Sequence, residues 1–362
     1  LSLRRQRQMC IRDSNNSIYH LGYIFYGTSI IIISIMVMMV SYSILYKYND
    51  TYSNKILNQK EVVVEEYLAN NNSKIINYNS TGNLEIQIDK YDFTTKDLNK
   101  IFDEQKYYIS SVRDKKLVPN ILINKFPKDF SLISTTKDKK SLFIRSLLPL
   151  IIMENNKIID TNKRIKKINN GTFDYISRDE ALWLKKQYLN YKVKSHHIDE
   201  LLIKVDIIPV SIALAQAAIE SGWGTSRFVT EGNALFGQWS WFKGSGIVPE
   251  KRDINETYEI KSFENLRQSV SAYMKNLNSH NNYSEFRVVR NNYRINNDEI
   301  NSLNLLNFLS NYAENIEYSK ILEKIIKKNN LQEFDQAEIY IPPYELANLI
   351  SVSYTHLRAH ET

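Results

Sequence analysis

Pro209-Val-Ser-Ile-Ala-Leu-Ala-Gln216-Ala-Ala-Ile-Glu220-Ser-Gly-Trp-Gly224-Thr-Ser-Arg-Phe228 decides how this chain is read. From Ser211 to Ile219 only Ser211 and Gln216 are polar. A helix that is apolar on nearly every side is a buried helix. Pro209 suits its first turn, where a missing N–H costs nothing. Gly222 and Gly224 end it. Glu220 therefore stands at the negative end of the helix dipole, at the rim of a core. Both conditions disfavour the ionised carboxylate and raise its pKa. A carboxylic acid still protonated near neutral pH is what a general acid needs to protonate a leaving oxygen. The same spacing also fits an exposed carboxylate near a helix C-cap with no chemistry at all.

Outward from that stretch, 362 residues are enough for one or two domains with a real core. The sequence has no Gly-rich phosphate loop, no CxxC, no HExxH and no internal repeat. The adjacent His196-His197 reads as a solvated loop pair sooner than a metal site. No metal and no organic cofactor is expected. Both ends, Leu1 to Ser14 and Val352 to Thr362, resemble translated sequencing-adapter reads and are set aside from fold reasoning. The single cysteine, Cys10, falls in the first of them, so the rest of the chain carries no thiol chemistry. That end also holds Arg4, Arg5, Arg7 and Arg12 against Asp13, a net +3, so the formal +7 falls to +4. A mild basic excess suits an anionic polymer or a membrane surface and gives little support to a nucleic-acid partner.

Gly22 to Tyr46 is 25 residues without a charge, long enough to cross a bilayer as a helix. Tyr23, Tyr26, Tyr42 and Tyr46 lie near its ends, as interfacial aromatics do. No small-residue cleavage site follows, so it reads as an uncleaved anchor. Residues 47–117 read as an Asn- and Lys-rich spacer with short alternating patches such as Leu84 to Asp89. From Val118 to Asp335 a mostly helical domain is expected. Ser141 to Ile168 carries one apolar stripe through Leu147, Ile151, Ile158 and Ile165. Arg178–Tyr191, Ile198–Val205, Leu266–Ser279, Glu299–Tyr312 and Tyr318–Lys328 also read as helices. Between Asn233 and Phe263, glycines and aromatics with a β-like run at Thr257 to Ile260 suggest a small β-lobe inserted after the Glu220 helix.

Two motifs then say more than the pattern does. Ala215-Gln-Ala-Ala-Ile-Glu220-Ser-Gly-Trp-Gly-Thr-Ser226, followed by Gly232-Asn-Ala-Leu-Phe-Gly-Gln-Trp239, resembles the bacterial endo-β-N-acetylglucosaminidase family of peptidoglycan hydrolases, which includes the flagellar-type enzymes. Within it the sequence is similar to the Bax-type branch. The resemblance runs from about Val118 to Gln332 and takes in Phe126-Pro-Lys-Asp129, Phe143 to Leu150, Tyr273 to Asn278, and His280. It implies a mainly α, lysozyme-like fold: a helical bundle around one buried helix, with a small β-lobe as the other wall of a sugar-binding groove. It implies cleavage of a β-1,4 bond after N-acetylglucosamine, with Glu220 as general acid.

The resemblance leaves the second catalytic group open. Glycosidases commonly pair two carboxylates, about 5 Å apart when they retain configuration and wider when they invert it. The lobe offers Glu250, Asp253, Glu256 and Glu259. The resemblance to the flagellar-type enzymes, by the spacing of their second glutamate, implies Glu259, which is taken as the second catalytic residue, whereas counting back from Phe263 favours Glu250, the next choice. It also remains open that all four are solvated and that water or the substrate's 2-acetamido group assists. Tyr312-Ala-Glu-Asn-Ile-Glu-Tyr318 resembles the family's Tyr-Ala-Thr-Asp-x-x-Tyr motif, imperfectly at Glu314 and Asn315. The resemblance implies that Tyr312 orients water or stabilises the transition state, against a plain role as a core tyrosine. Trp223, Phe236, Trp239 and Trp241 offer faces for sugar rings, of which one or two are expected to touch ligand. Trp223, Phe236, Trp239 and Glu250 are the candidate substrate-binding residues.

The expectation is thus a single-pass enzyme of the bacterial inner membrane, its catalytic domain extracytoplasmic and its partner the glycan strands of peptidoglycan. A lytic transglycosylase of the same fold is the alternative chemistry. A non-catalytic glycan-binding envelope module is the alternative of another kind. No zinc set or Cys/His pair supports an amidase.

Overall fold

The computed structural model describes Met39, the strand residues 76–78 and 84–86, and residues 94–171, 176–250, 252–253, 255–309 and 317–340. The chain divides into two units, Leu1–Ser73 and Lys74–Thr362. In the first, Met39 alone is described, helical and exposed. The apolar run 22–46 otherwise lies outside the described residues. Among the described residues no helix is long and apolar enough to cross a membrane.

The second unit opens with strands β1 (Ile76–Tyr78) and β2 (Leu84–Ile86), followed by helices α1 (Thr95–Glu104) and α2 (Ile109–Lys115). Strands β3 (Leu117–Pro119) and β4 (Ile121–Ile123) lead into α3 (Thr136–Asn169). Then come α4 (Arg178–Asn190), α5 (Ile198–Lys204), α6 (Val210–Glu220) and α7 (Arg227–Gly232). Strands β5 (Trp239–Ser240), β6 (Gly246–Ile247) and β7 (Glu259–Lys261) precede α8 (Leu266–Ser279), α9 (Ser284–Ile295), α10 (Ser302–Leu305), α11 (Tyr318–Lys328) and β8 (Glu338–Tyr340).

Helix α6 is the axis of the core. Every residue from Val210 to Ala218 is buried, and α3, α11 and the 3-10 turn Leu331–Phe334 pack around it. Pro209 stands at its N-cap and supplies no side-chain acceptor. Asp335 does so from 124 residues away: its Oδ1 accepts from the Ser211 N–H at 2.7 Å and its Oδ2 from the Ser211 hydroxyl at 2.8 Å. The orphan donors of a buried helix start thereby find a carboxylate.

Helix α3 runs for 34 residues from a Thr135 cap that accepts from Asp138 N–H. It keeps the apolar stripe expected over Ser141 to Ile168, with Pro149 in its interior. Phe126, Phe130 and Phe143 stack beneath the turn that follows α6, with ring centroids 4.4 and 5.9 Å apart. Three of the expected helices end within a residue of their reading, and α8 and α11 coincide with theirs.

Other segments differ. The stretch read as spacer holds α1, with a Thr94/Asp97 capping box, and α2. Leu98, Ile101, Phe102, Tyr107 and Val112 join the main core. The core therefore begins well before Val118. Helix α9 was not expected, because its inner face carries Arg287 and Arg290 in place of an apolar stripe. The helix expected over Glu299–Tyr312 is the short α10 continued by a 3-10 turn to Phe308. Asn301 sets its start by accepting from the N–H groups of Leu303 and Asn304.

The lobe is a three-stranded antiparallel sheet in the order β5-β7-β6. A second sheet pairs β2 antiparallel with β1 and parallel with β4, and β3 pairs parallel with β8.

Candidate active site

Glu220 is the last residue of α6 and is half-buried. Its Oε1 accepts a hydrogen bond from the Tyr318 hydroxyl at 2.9 Å. Burial pushes its pKa above the usual carboxylate value, and the bond from Tyr318 opposes that shift only in part. Gly237 curls past the other oxygen: its φ is +59°, and a Cβ there would stand 3.7 Å from Glu220 Oε2.

One helical turn before Glu220, on the same face, lies Gln216. Its Nε2 donates to the Tyr318 hydroxyl oxygen at 3.0 Å, and its Oε1 accepts from the Tyr273 hydroxyl at 2.6 Å. Tyr273 in turn lies flat against Phe236, with centroids 3.9 Å apart and ring planes 4° from parallel. Both polar residues of the buried helix are thus satisfied, Ser211 by Asp335 and Gln216 by two phenols. Burial pushes the Tyr273 and Tyr318 phenols well above their ordinary value and that of Tyr283 up to about 12. All three phenols are neutral near neutral pH, and Tyr273 and Tyr318 serve as donors.

The turn after Glu220 is held by geometry that few residues accept. Gly222, Trp223 and Gly224 all have positive φ, at 57°, 59° and 83°. A side chain at Gly224 would meet the rings of Phe130, Phe143 and Phe126 at 3.0 to 3.2 Å. Trp223 takes a conformation costly for a bulky residue. Its N–H donates to the Ala218 carbonyl at 2.8 Å. Its ring is edge-on to Phe143, with Lys140 Nζ 4.5 Å above it.

In the β-lobe Glu259 is 4% exposed. Its Oε1 accepts from Gly244 N–H and its Oε2 from Gly246 N–H, each at 2.9 Å. The N–H of Gly244 is the main cause holding its pKa below the usual value. Desolvation opposes it more weakly. Gly246 is fixed in kind, since a Cβ there would lie 2.1 Å from the Ile260 carbonyl oxygen. Glu250 is exposed and pairs with Arg227 Nε at 3.4 Å. Asp253 and Glu256 are exposed. Trp239, 54% exposed, is stacked on Tyr258 at 4.5 Å, and the exposed Trp241 stands edge-on to both.

The expected site residues therefore separate. Glu220 sits where the sequence puts it. Glu259 is committed through both oxygens to the turn Lys243–Gly246, which fits a residue that holds the lobe together. Phe236, expected to offer a face to sugar, is buried with Tyr273 against its ring. Trp223 likewise packs on the core, its contacts taken by Phe143 and Lys140. Trp239 and Trp241 remain open to solvent. Tyr312 lies outside the described residues. Among the described residues no three metal-ligating side chains converge, and His196 is instead edge-on to Tyr188. Sequence reading missed Gln216, Tyr273 and Tyr318 as neighbours of the acid. The available signal was a lone amide one turn before Glu220 on a helix otherwise apolar, which must find partners when buried.

A buried helix ending in one half-buried carboxylic acid, beside the entry to a small β-lobe, presents a group whose raised pKa suits a general acid. The glucosaminidase family profile (mannosyl-glycoprotein endo-beta-N-acetylglucosaminidase) matches residues 195–331. Protein bax of Escherichia coli strain K12 is 33% identical over 221 residues, 59% of this chain and 74% of that one. The exo-glucosaminidase LytG of Bacillus subtilis strain 168 is 26% identical over 153 residues, 39% of this chain and about half (51%) of that one. Among solved structures, the catalytic domain of the autolysin Auto from Listeria monocytogenes matches 47% of this chain and 94% of its own, at 16% identity and a TM-score of 0.27. The chain belongs to the Bax-type glucosaminidase family and is a glycosidase.

Proposed function

We propose that the chain is a peptidoglycan hydrolase that cleaves the β-1,4 bond after N-acetylglucosamine, with Glu220 as general acid. The observation that carries this reading is the burial of Glu220 at the end of α6, which raises its pKa and keeps it protonated closer to neutral pH. Glu220 gives its proton to the glycosidic oxygen as the bond from that oxygen to the anomeric carbon breaks. The carboxylate left behind takes a proton from the water that then bonds to the anomeric carbon. Tyr312 is proposed to orient that water. Trp239, stacked on Tyr258, offers an exposed aromatic face to a sugar ring, with Glu250 at the rim.

The run 22–46 is proposed to anchor the enzyme in the cytoplasmic membrane, with the catalytic domain, 118–335 together with the helices before it, on the extracytoplasmic side. Its length and lack of charge support this. Peptidoglycan is the proposed partner, without nucleic acid and without a cofactor.

A second reading, lytic transglycosylase, is favoured by one observation: both Glu259 oxygens are taken by backbone N–H groups. A single glutamate suffices when the sugar's own hydroxyl closes onto the anomeric carbon. The test is mass spectrometry of fragments released from purified peptidoglycan by the full chain, before and after borohydride reduction. Reducible N-acetylglucosamine ends support the glucosaminidase. Anhydro-muramic ends move the enzyme to the transglycosylases.

A further inference from the structure

A carboxylic acid has two oxygens and one proton, so a general acid works only when the proton sits on the oxygen that faces the leaving group. In Glu220 the two oxygens are not equivalent. Oε1 accepts from the Tyr318 hydroxyl, and Oε2 lies on the side of Gly237, where an added Cβ would stand 3.7 Å from it.

We propose that Tyr318 is a positioning residue: backed by Gln216 and Tyr273, it holds Oε1 of Glu220 as a hydrogen-bond acceptor and so keeps the acid proton on Oε2, beside Gly237. The inference rests on Glu220 being the general acid.

The direction of each bond behind Glu220 supports it. Tyr318 has one O–H, and its oxygen already accepts from the Gln216 amide at 3.0 Å. The Gln216 carbonyl is occupied by the Tyr273 hydroxyl at 2.6 Å. Gln216 and Tyr273 are both fully buried, and Phe236 lies flat on Tyr273. Reversing the chain requires the amide to flip and two hydroxyls to rotate together in a packed core. Tyr318 therefore directs its proton to Glu220 Oε1. Among the described residues, the titratable groups acting on Glu220 from the packed elements are Tyr318 of α11, Tyr273 of α8 and Tyr283 of the turn after α8. All are neutral phenols, so among the described residues burial and the Tyr318 hydrogen bond set the pKa of the acid.

The test is the pH dependence of reducing-end release from purified peptidoglycan by the full chain, with Tyr318→Phe, Tyr273→Phe and Glu220→Gln alongside. Tyr318→Phe is expected to lower the rate by up to about 100-fold, the scale of a misplaced catalytic group. It is also expected to move the alkaline limb to higher pH, because a donor to the ionised carboxylate is lost. A purely structural role would lower the rate at every pH and leave the limb in place. Tyr273→Phe is expected to move the limb the same way with a smaller loss, and it decides the matter if circular dichroism shows Tyr318→Phe to be unfolded. A limb unmoved in the folded variants overturns the role of Tyr318 while Glu220→Gln remains inert. An active Glu220→Gln removes the reading of Glu220 itself, and the inference with it.

Discussion

The Tyr318 hydroxyl donates to Glu220 Oε1 across 2.9 Å, tying the end of the core helix to the first residue of α11, 98 positions later. The acid is thus fixed from a distant element, while the turn that follows it is fixed by three positive φ values and a cluster of phenylalanine rings.

Glu220 costs stability at neutral pH. Its folded pKa is raised by burial, so the native state binds a proton that the unfolded chain releases. Its contribution is most favourable below the ordinary carboxylate pKa and turns unfavourable as pH rises through the raised value. Glu220→Gln keeps an acceptor for Tyr318 and removes the charge. It is expected to gain about 1 kcal/mol near neutral pH, with the gain shrinking in acid. Thermal melts of the two proteins across pH check this, and a variant that melts lower at neutral pH contradicts it.

Glu259 behaves in the opposite sense. Its folded pKa is depressed, chiefly by the Gly244 N–H, so its support of the lobe is present above the ordinary carboxylate pKa and is lost as pH falls through the depressed value. If it only holds the lobe, Glu259→Gln loses less than about tenfold in rate, whereas loss of a nucleophile or base costs on the order of a thousandfold or more. Limited proteolysis should show faster cutting between β5 and β7 in the variant and, in wild type, at low pH.

Gly224→Ala is expected to destabilise by about 3 kcal/mol, combining a left-handed backbone with a methyl group 3.0 to 3.2 Å from three aromatic rings. Denaturant titration reads the loss. Because Glu220 precedes Gly224 by only four residues, the folded fraction should also be less active per molecule.

Arg290 is fully buried and gathers the carbonyls of Ile203, Asp206 and Ile207 with Asn278 Oδ1, at 2.7 to 3.1 Å. Burial lowers its pKa to about 10, which leaves it charged at neutral pH. Arg290→Met strands those acceptors, while the Asp206 carboxylate keeps its two bonds from Arg294. A loss of roughly 3–5 kcal/mol is expected by calorimetry.

What the sequence reveals, and what it conceals, follows from where each signal resides. Helix α6 is legible because its apolar run has one possible environment, and Gly222 and Gly224 mark its end. Helices α8 and α11 carry ordinary amphipathic spacing. Helix α9 escapes because Arg287 and Arg290 occupy its inner face, Arg287 satisfied by the nearby Leu277 and His280 carbonyls and Arg290 by carbonyls more than 80 positions back. Helix α1 hides three buried apolar residues among charges. In the site, Glu220 is readable from its own neighbourhood. The partners of Gln216 are not, since Tyr273 and Tyr318 lie 57 and 102 positions away. Aromatic residues at Phe236 and Trp239 look alike in sequence, and only packing separates wall from exposed face.

The most direct measurement is the rate at which soluble fragments leave purified peptidoglycan under wild type and Glu220→Gln, each shown to be folded by its melting transition. With Glu220 as the general acid, the variant should be at least about a thousandfold slower. A folded variant within tenfold of wild type would contradict the assignment of the acid.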